Sequence, residues 1–353
     1  MGKTVLVVGT GTIGEPLIGL ISDFREDLNV EEVLFYKRTP LVEEVPKVNS
    51  LCARGAKLIA TDIATAARFS ELGNEAHMLF PEALAKSDVV VDCTPAGNQN
   101  KTDFYENYAH GSKPRLFIAQ GSEKGFGVPY AYGINEEVLS EGTQWIQVVS
   151  CNTHSIACLI RALSDEDTFV SGDFVCMRRA NDVSQDAGYV ASTTVGTHKD
   201  LIYGTHHARD VHDLLSTVEM NVDVFSSALK ISTQYMHAVR FSITVSEAMT
   251  KSRVINKMSN NPLISLTHKT SANKIFSFGR DHGYYGRIYN HVVVPQKQVE
   301  VYQDGAHTKI VGFCFTPQDG NSLITSLAAV AHHTLGADSK NLSFIDRLLF
   351  QRV

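Results

Sequence analysis

The sequence predicts an α/β chain: a doubly wound parallel-sheet domain joined to an α+β domain whose sheet is mostly antiparallel. Three observations carry this reading. An apolar run, Thr4-Val5-Leu6-Val7-Val8, leads directly into Gly9-Thr10-Gly11-Thr12-Ile13-Gly14 and then a helical pattern from Pro16 to Ile21. That order, strand then glycine turn then helix, is what a dinucleotide-binding sheet requires. Strand-like and helix-like segments go on alternating up to Val149, as in a parallel sheet with crossover helices. Past Cys151 the strand-like runs follow one another with few helices between.

Length and charge bound the rest. A chain of 353 residues is too long for one ordinary compact unit. The expected division is a dinucleotide-binding domain over 1–150, a catalytic domain over 151–315, and a helical segment over 316–353 that returns to the first domain. The formal charge of -6, from 32 basic and 38 acidic side chains, argues against a nucleic-acid or membrane surface as main partner. No apolar run is long enough to span a bilayer, and Met1-Gly2-Lys3 leads straight into a strand without a signal peptide, so a cytoplasmic protein is expected. The 6 cysteines are scattered without disulfide or metal spacing and read as free thiols in a reducing compartment, with no metal site.

In the glycine turn, the glycines permit the tight bend, let backbone approach a pyrophosphate, and let helix and strand pack closely. The plainer alternative is a strand–helix turn with no ligand. The second strand, Glu32 to Tyr36, ends in Lys37-Arg38-Thr39, where an enzyme that reads a free ribose 2′-hydroxyl usually carries an acid. Two cations and a hydroxyl suit a 2′-phosphate; a solvated basic turn is the bland alternative. Helices are expected at Ala64–Leu72 and Pro81–Lys86, and strands leading into loops over Asp88–Gly97 and Leu116–Ser122. Their loops lie at the carboxyl edge of the sheet, where ligands bind.

The stretch Ser150-Cys151-Asn152-Thr153-His154 closes the apolar run from Trp145 to Val149, and an apolar helical segment, Ile156–Leu163, begins just after. Cys151 therefore sits near a helix start, where free N–H groups and the dipole favour a thiolate. A buried, inert cysteine is the alternative. In the second half, strands are expected over 173–179, 222–224, 239–245 and 289–294. His237 opens one of them and shares a face with Val239, Phe241 and Ile243. Residues 181–210 read as a long surface excursion, and Asn321 as the N-cap of a last helix reaching Leu335.

Several stretches together resemble the type II (archaeal-like) phosphorylating glyceraldehyde-3-phosphate dehydrogenases: Gly11-Thr12-Ile13-Gly14, Asp92-Cys93-Thr94-Pro95 with Gly97, Gln120-Gly121-Ser122-Glu123-Lys124, Val149-Ser150-Cys151-Asn152-Thr153, Arg178-Arg179-Ala180, Thr205-His206-His207 with Asp210-Val211, and Tyr235-Met236-His237. The resemblance implies a Rossmann domain and oxidation of glyceraldehyde 3-phosphate with inorganic phosphate to 1,3-bisphosphoglycerate, and the reverse, in glycolysis and gluconeogenesis. It makes Cys151 the nucleophile and His237 its base. Substrate contacts are then expected from Ser150, Asn152, Thr153, Arg178, His206, His207 and Ala208. Cofactor contacts are expected from Gly9, Gly11, Thr12, Ile13, Gly14, Lys37, Arg38, Thr39, Gly121, Ser122, Arg179 and Gln318. NADP is the expected cofactor, with NAD also accepted, and a homotetramer is the implied assembly.

The chain also departs from that pattern. His154 stands where the family usually has a second threonine, Ser122 replaces a glycine, Ala208-Arg209 replaces Gly-Pro, and no His-Gln is evident near Thr316-Pro317-Gln318. Arg209 is expected to reinforce phosphate binding. Two rivals stay open: a semialdehyde dehydrogenase or acyl-phosphate reductase using the same cysteine, and a non-catalytic dinucleotide-binding regulator, which would need neither Cys151 nor His237.

Overall fold

The computed structural model describes residues 2–110, 115–121, 123–140, 142–181, 187–317, 319–336 and 342–353. The chain divides into two compact units. The first comprises 1–128, 138–148 and 323–344; the second comprises 129–137, 149–322 and 345–353. The end of the chain differs from expectation, because residues 345–353 belong to the second unit. There Val353 N–H donates to the Leu266 carbonyl and Leu266 N–H to the Gln351 carbonyl, so the terminus is fastened as an extra strand-like bridge.

Apart from Pro129 and Tyr130, the first unit holds one 8-stranded sheet. Its strands are β1 (Lys3–Val8), β2 (Val30–Tyr36), β3 (Lys57–Ala60), β4 (Met78–Leu79), β5 (Val89–Asp92), β6 (Leu116–Gln120), β7 (Val128–Tyr130) and β8 (Trp145–Val148). They lie in the order β4-β3-β2-β1-β5-β6-β8-β7, and each pairing from β4 to β8 is parallel. Val5, Leu6 and Val7 have no exposed surface, as continuous apolar strands covered on both faces should. The winding reverses at β1, which lies between β2 and β5. Val8 is in register with both Tyr36 and Asp92, so Gly9, Lys37 and Cys93 emerge together at the carboxyl edge, the crevice where such sheets bind ligands.

A buried carboxylate holds that edge. Asp92, with no exposed surface, accepts from Tyr105 OH (2.6 Å), Asn100 Nδ2 (2.7 Å), Thr94 N–H (2.8 Å) and Thr94 Oγ1 (2.6 Å). The loop so fixed packs on the glycine turn. Gly9 has φ +96, and a side chain there would meet Thr94 Cγ2 at 3.0 Å.

The second unit carries β9 (Phe169–Arg178), β10 (Thr194–Val195), β11 (Val224–Lys230), β12 (His237–Val245), β13 (Ile264–Thr267), β14 (Val292–Pro295), β15 (Glu300–Asp304) and β16 (His307–Thr316). The order is β10-β11-β9-β12-β16-β14-β13, with β15 paired to β16. The sheet is mixed but mostly antiparallel: β9–β11 and β13–β14 are parallel, the other pairings antiparallel. One face carries Phe174, Cys176, Val239, Phe241, Ile243, Ile310 and Cys314, clustered with Ile156, Ala157, Leu159, Ile160 and Leu163 of the helix Cys151–Leu163. Alternation in β12 delivers this face, as its sequence predicts.

Two helices, Lys251–Asn260 and Ala272–His282, were not expected. The first buries only Val254 and Met258, a four-residue spacing too sparse to stand out among polar residues. The strand expected over 222–224 begins at Val224 and runs on to Lys230. The strand expected over 289–294 starts at Val292, because Asn290 turns aside to donate to the carbonyls of Pro262 (2.8 Å) and Phe350 (3.0 Å). Among the described residues of the 181–210 excursion, β10 pairs with β11 and most of 189–202 is exposed.

Replacing Asp92 by Ala strands the Tyr105 hydroxyl and the Asn100 amide, each lost partner costing about 1–3 kcal/mol. Urea unfolding of Asp92→Ala should show a loss of about 3 kcal/mol; a change within experimental error would mean that this network does not hold the edge.

Candidate active site

The site of the second unit is built on a helix start. Ser150 caps the helix Cys151–Leu163: its Oγ accepts from Thr153 N–H (3.4 Å) and lies 2.8 Å from Thr153 Oγ1. Cys151 is thus the first helical residue, half-buried. The expected effect of that position on the thiol is outweighed. Burial raises the Cys151 pKa to about 11, and the Asp319 carboxylate pushes the same way, while Arg179, the Asn152 N–H and Arg178 pull it down. The balance of these influences favours the protonated thiol in the free protein.

A polar network ties this helix start to the sheet. Asn321 Nδ2 donates to the Cys151 carbonyl (3.0 Å). Thr316 Oγ1 donates to Asn152 Oδ1 (3.3 Å), and Ser155 Oγ reaches the His291 carbonyl at 2.7 Å and Thr316 Oγ1 at 3.0 Å. Thr316 is in register with His237 across β16 and β12. The network thereby links the helix that starts at Cys151 to the strand that carries His237. Asn152 and Thr153 spend their side chains holding this start. The last helix begins at Gly320, so Asn321 is not its N-cap, and its amide serves Cys151 instead.

His237 is buried, and its Nδ1 accepts the Arg179 N–H at 2.9 Å. Burial lowers its pKa to about 3, with the charges of Arg179 and Arg178 adding. The ring is neutral, and with Nδ1 accepting its proton is on Nε2. Arg179 is itself buried and donates to the Gln234 carbonyl at 3.5 Å. Arg178, the last residue of β9, is exposed, and its charge reaches Cys151, His237 and His207. Among the described residues its guanidinium has no hydrogen-bond or ion-pair partner.

The helix His206–Ser216 supplies the histidine pair. Ser226 positions its start: its Oγ lies 2.6 Å from Thr205 Oγ1 and accepts from Ala208 N–H at 3.0 Å. His207 is buried, its ring 4.0 Å from that of exposed His206. Neither His207 nitrogen has a partner among the described residues, and burial holds its pKa well below the ordinary value, with His206, Arg178 and His237 adding. A buried imidazole without a partner is costly unless a ligand completes it. Ala208 does not join this cluster, because its N–H serves Ser226 and its methyl is in the core. Arg209 is likewise withdrawn: it pairs with Asp200 at 2.5 Å and lies over the Tyr203 ring.

In the first unit, a side chain at Gly14 would run into the Gly9 carbonyl, whereas one at Gly11 would meet nothing within 4 Å. The turn with Thr12 and Ile13 is therefore tight beneath and open above, a shape that fits a pyrophosphate at the start of the helix Gly14–Asp23. Gly121 (φ +46) donates to the Val148 carbonyl. Arg38 and Thr39 are exposed, but Lys37 is buried and paired with Glu44, a correction to the open basic turn expected there. Ser122 and Gln318 lie outside the described residues. Asn321, Thr316, Ser155, Ser226 and Asp319 went unforeseen because each acts through distant pairing. Among the described residues no cluster suits a metal ion, and no helix is long and apolar enough to cross a membrane.

A parallel sheet with an open glycine turn in one unit, and a mixed, mostly antiparallel sheet in the other, define the class: two-unit enzymes of dinucleotide-binding fold. Residues 150–301 match the family described as glyceraldehyde 3-phosphate dehydrogenase, C-terminal domain. The chain is similar to glyceraldehyde-3-phosphate dehydrogenases of Archaeoglobus fulgidus (28% identical, covering 83% of each chain), Sulfolobus acidocaldarius (28%, covering 80% of this chain and 78% of that one) and Methanocaldococcus jannaschii (24%, covering 86% and 87%). Together these matches support an archaeal-type glyceraldehyde-3-phosphate dehydrogenase.

His154, in the first turn of the same helix, has no exposed surface, its Nδ1 donating to the Ser150 carbonyl (3.0 Å) and its ring 4.8 Å from that of His291. His291 Nε2 donates to the Tyr132 carbonyl (2.7 Å). Burial lowers both pKa values, His154 well below its ordinary value and His291 from 6.5 to about 4. Groups held neutral in the fold take up protons on unfolding, so their contribution is full above about pH 6.5 and is lost as pH falls toward the folded values. His291 alone should cost about 2 kcal/mol between pH 7 and pH 5. Urea unfolding at the two pH values checks this, and equal stability at both would contradict it.

Proposed function

We propose that the protein oxidises glyceraldehyde 3-phosphate to 1,3-bisphosphoglycerate with a nicotinamide dinucleotide and inorganic phosphate, and runs the reverse reaction. The observation that carries this reading is the convergence of Cys151 with neutral His237, unpartnered His207 and the open guanidinium of Arg178 in one unit. The Cys151 thiol loses its proton to solvent and the sulfur adds to the aldehyde carbon, giving a thiohemiacetal. His237 Nε2–H donates to the oxygen that becomes negative, and so stabilises charge where it develops. The bound dinucleotide supplies the hydride acceptor. Cys151 is left as a thioester, phosphate oxygen attacks its carbonyl carbon, and the C–S bond breaks to return the thiolate. Arg178, His206 and His207 hold the anions: one permanent charge and imidazole donors suit phosphate oxygens.

Residues 9–14, with Gly121, would hold the dinucleotide in the first unit, and Arg179 serves by positioning His237. Lys37, Arg38 and Thr39 incline the site to NADP, with NAD accepted. A tetramer in the cytoplasm, in glycolysis or gluconeogenesis, completes the reading.

Purified protein with glyceraldehyde 3-phosphate, phosphate and each dinucleotide in turn should reduce the cofactor in a phosphate-dependent way, and no reduction with either would reject the proposal. Cys151→Ser should lose nearly all activity while still binding cofactor. In the wild type without ligands, iodoacetamide should label Cys151 before Cys158 or Cys176, at a rate rising about tenfold per pH unit from pH 7 to 9, as a thiol titrating near 11 requires. Arg178→Ala should raise KM for glyceraldehyde 3-phosphate far more than for unphosphorylated glyceraldehyde; equal losses would show that Arg178 does not read phosphate.

A further inference from the structure

The turn that follows β2 is closed by a carboxylate. Glu44 ends a short helical turn, Val42–Glu44, just before the helix Val45–Ala53. One of its oxygens takes the Lys37 ammonium and the other the Lys47 ammonium at 2.7 Å. Lys47 also donates to the Thr10 carbonyl, inside the glycine turn, at 3.2 Å, and lies 3.7 Å from Glu15. The Lys37 side chain is only 8% exposed, whereas Glu44 and Lys47 stay partly open at 25% and 24%. Burial alone would raise the Glu44 pKa, but the two ammonium groups overcome it and the net shift is downward; Lys47 is raised in turn. The carboxylate is thus a resident anion between two cations, Lys37 at the crevice edge and Lys47.

We propose that Glu44 sets the discrimination between dinucleotides with and without a 2′-phosphate, by occupying Lys37 and Lys47 until a phosphate dianion displaces it. This rests on the dinucleotide reading of the glycine turn. A cofactor lacking the 2′-phosphate leaves the Lys37–Glu44–Lys47 cluster as it stands and meets a neutralised edge. One bearing it must break the Lys37–Glu44 contact and sit beside a carboxylate, so part of the attraction of the cations is spent on exchanging one anion for another. Glu44 therefore tempers a preference that the basic turn alone would make strong.

Calorimetric titration of the full chain with 5′-AMP and with 2′,5′-ADP separates the two cases. Glu44→Gln, nearly the same shape, should tighten 2′,5′-ADP roughly tenfold, the weight of one unit charge a few ångströms away at a partly exposed site, and leave 5′-AMP within about twofold. Glu44→Asp, which keeps the charge, should return the ratio toward the wild type. If Glu44→Gln fails to fold, Lys37→Met decides, with 2′,5′-ADP weakened and 5′-AMP unchanged as the expected result. Equal shifts for both nucleotides, an unchanged 2′,5′-ADP affinity, or a loss confined to 5′-AMP would overturn the proposal. A wild type that binds neither nucleotide would instead reject the dinucleotide reading itself.

Discussion

The second unit depends on one buried tie, the Asn321 amide donating to the Cys151 carbonyl. That carbonyl sits in the first turn of a helix whose own partner lies four residues on, where the Ser155 hydroxyl also reaches back to it at 3.2 Å. Asn321, Ser155 and Thr316 have no exposed surface, so none can replace a lost partner with water, and each would bear a desolvation cost if its neighbour shifted. The strand pairing that sets Thr316 opposite His237 and the helix that presents Cys151 therefore cannot move independently. The position of the thiol is set by residues without exposed surface.

The two cation groups of the chain follow opposite electrostatic logic. Around Cys151, His237 and His207 are held neutral by burial, and the Arg178 guanidinium is left without a counter-anion among the described residues, ready for a ligand that brings its own charge. At the edge of the first sheet, Lys37 is kept satisfied by Glu44 before any ligand arrives. An open cation attracts anions broadly, whereas a pre-paired one requires an exchange.

What could be read from sequence was local. The glycine turn, the first strand and the Cys151 helix start are written in adjacent residues, because backbone reach and helix capping act over a few positions. The alternation in β12 likewise announced its inner face. Charge pairing across loops was not legible: Lys37 and Arg209 looked like open cations, and only the way the chain turns brings Glu44 to one and Asp200 to the other. The protonation of His237 was hidden for the same reason, since the backbone N–H of Arg179, just past the end of β9, decides which nitrogen carries the proton. Asn321 misled because an asparagine before an apolar helix resembles a cap, whereas the helix already begins one residue earlier, at Gly320.

The Arg179 N–H on His237 Nδ1 has a consequence for proton traffic. A backbone donor cannot turn away or accept, so that nitrogen is closed to exchange, and a doubly protonated ring would set two donors against each other. The imidazole is a dead end and not a relay: any proton that leaves from Nε2 must be replaced at Nε2, on the same side of the ring. Such a group cannot pass protons through the protein to a distant outlet, and its recharging waits on whatever enters and leaves along that one face.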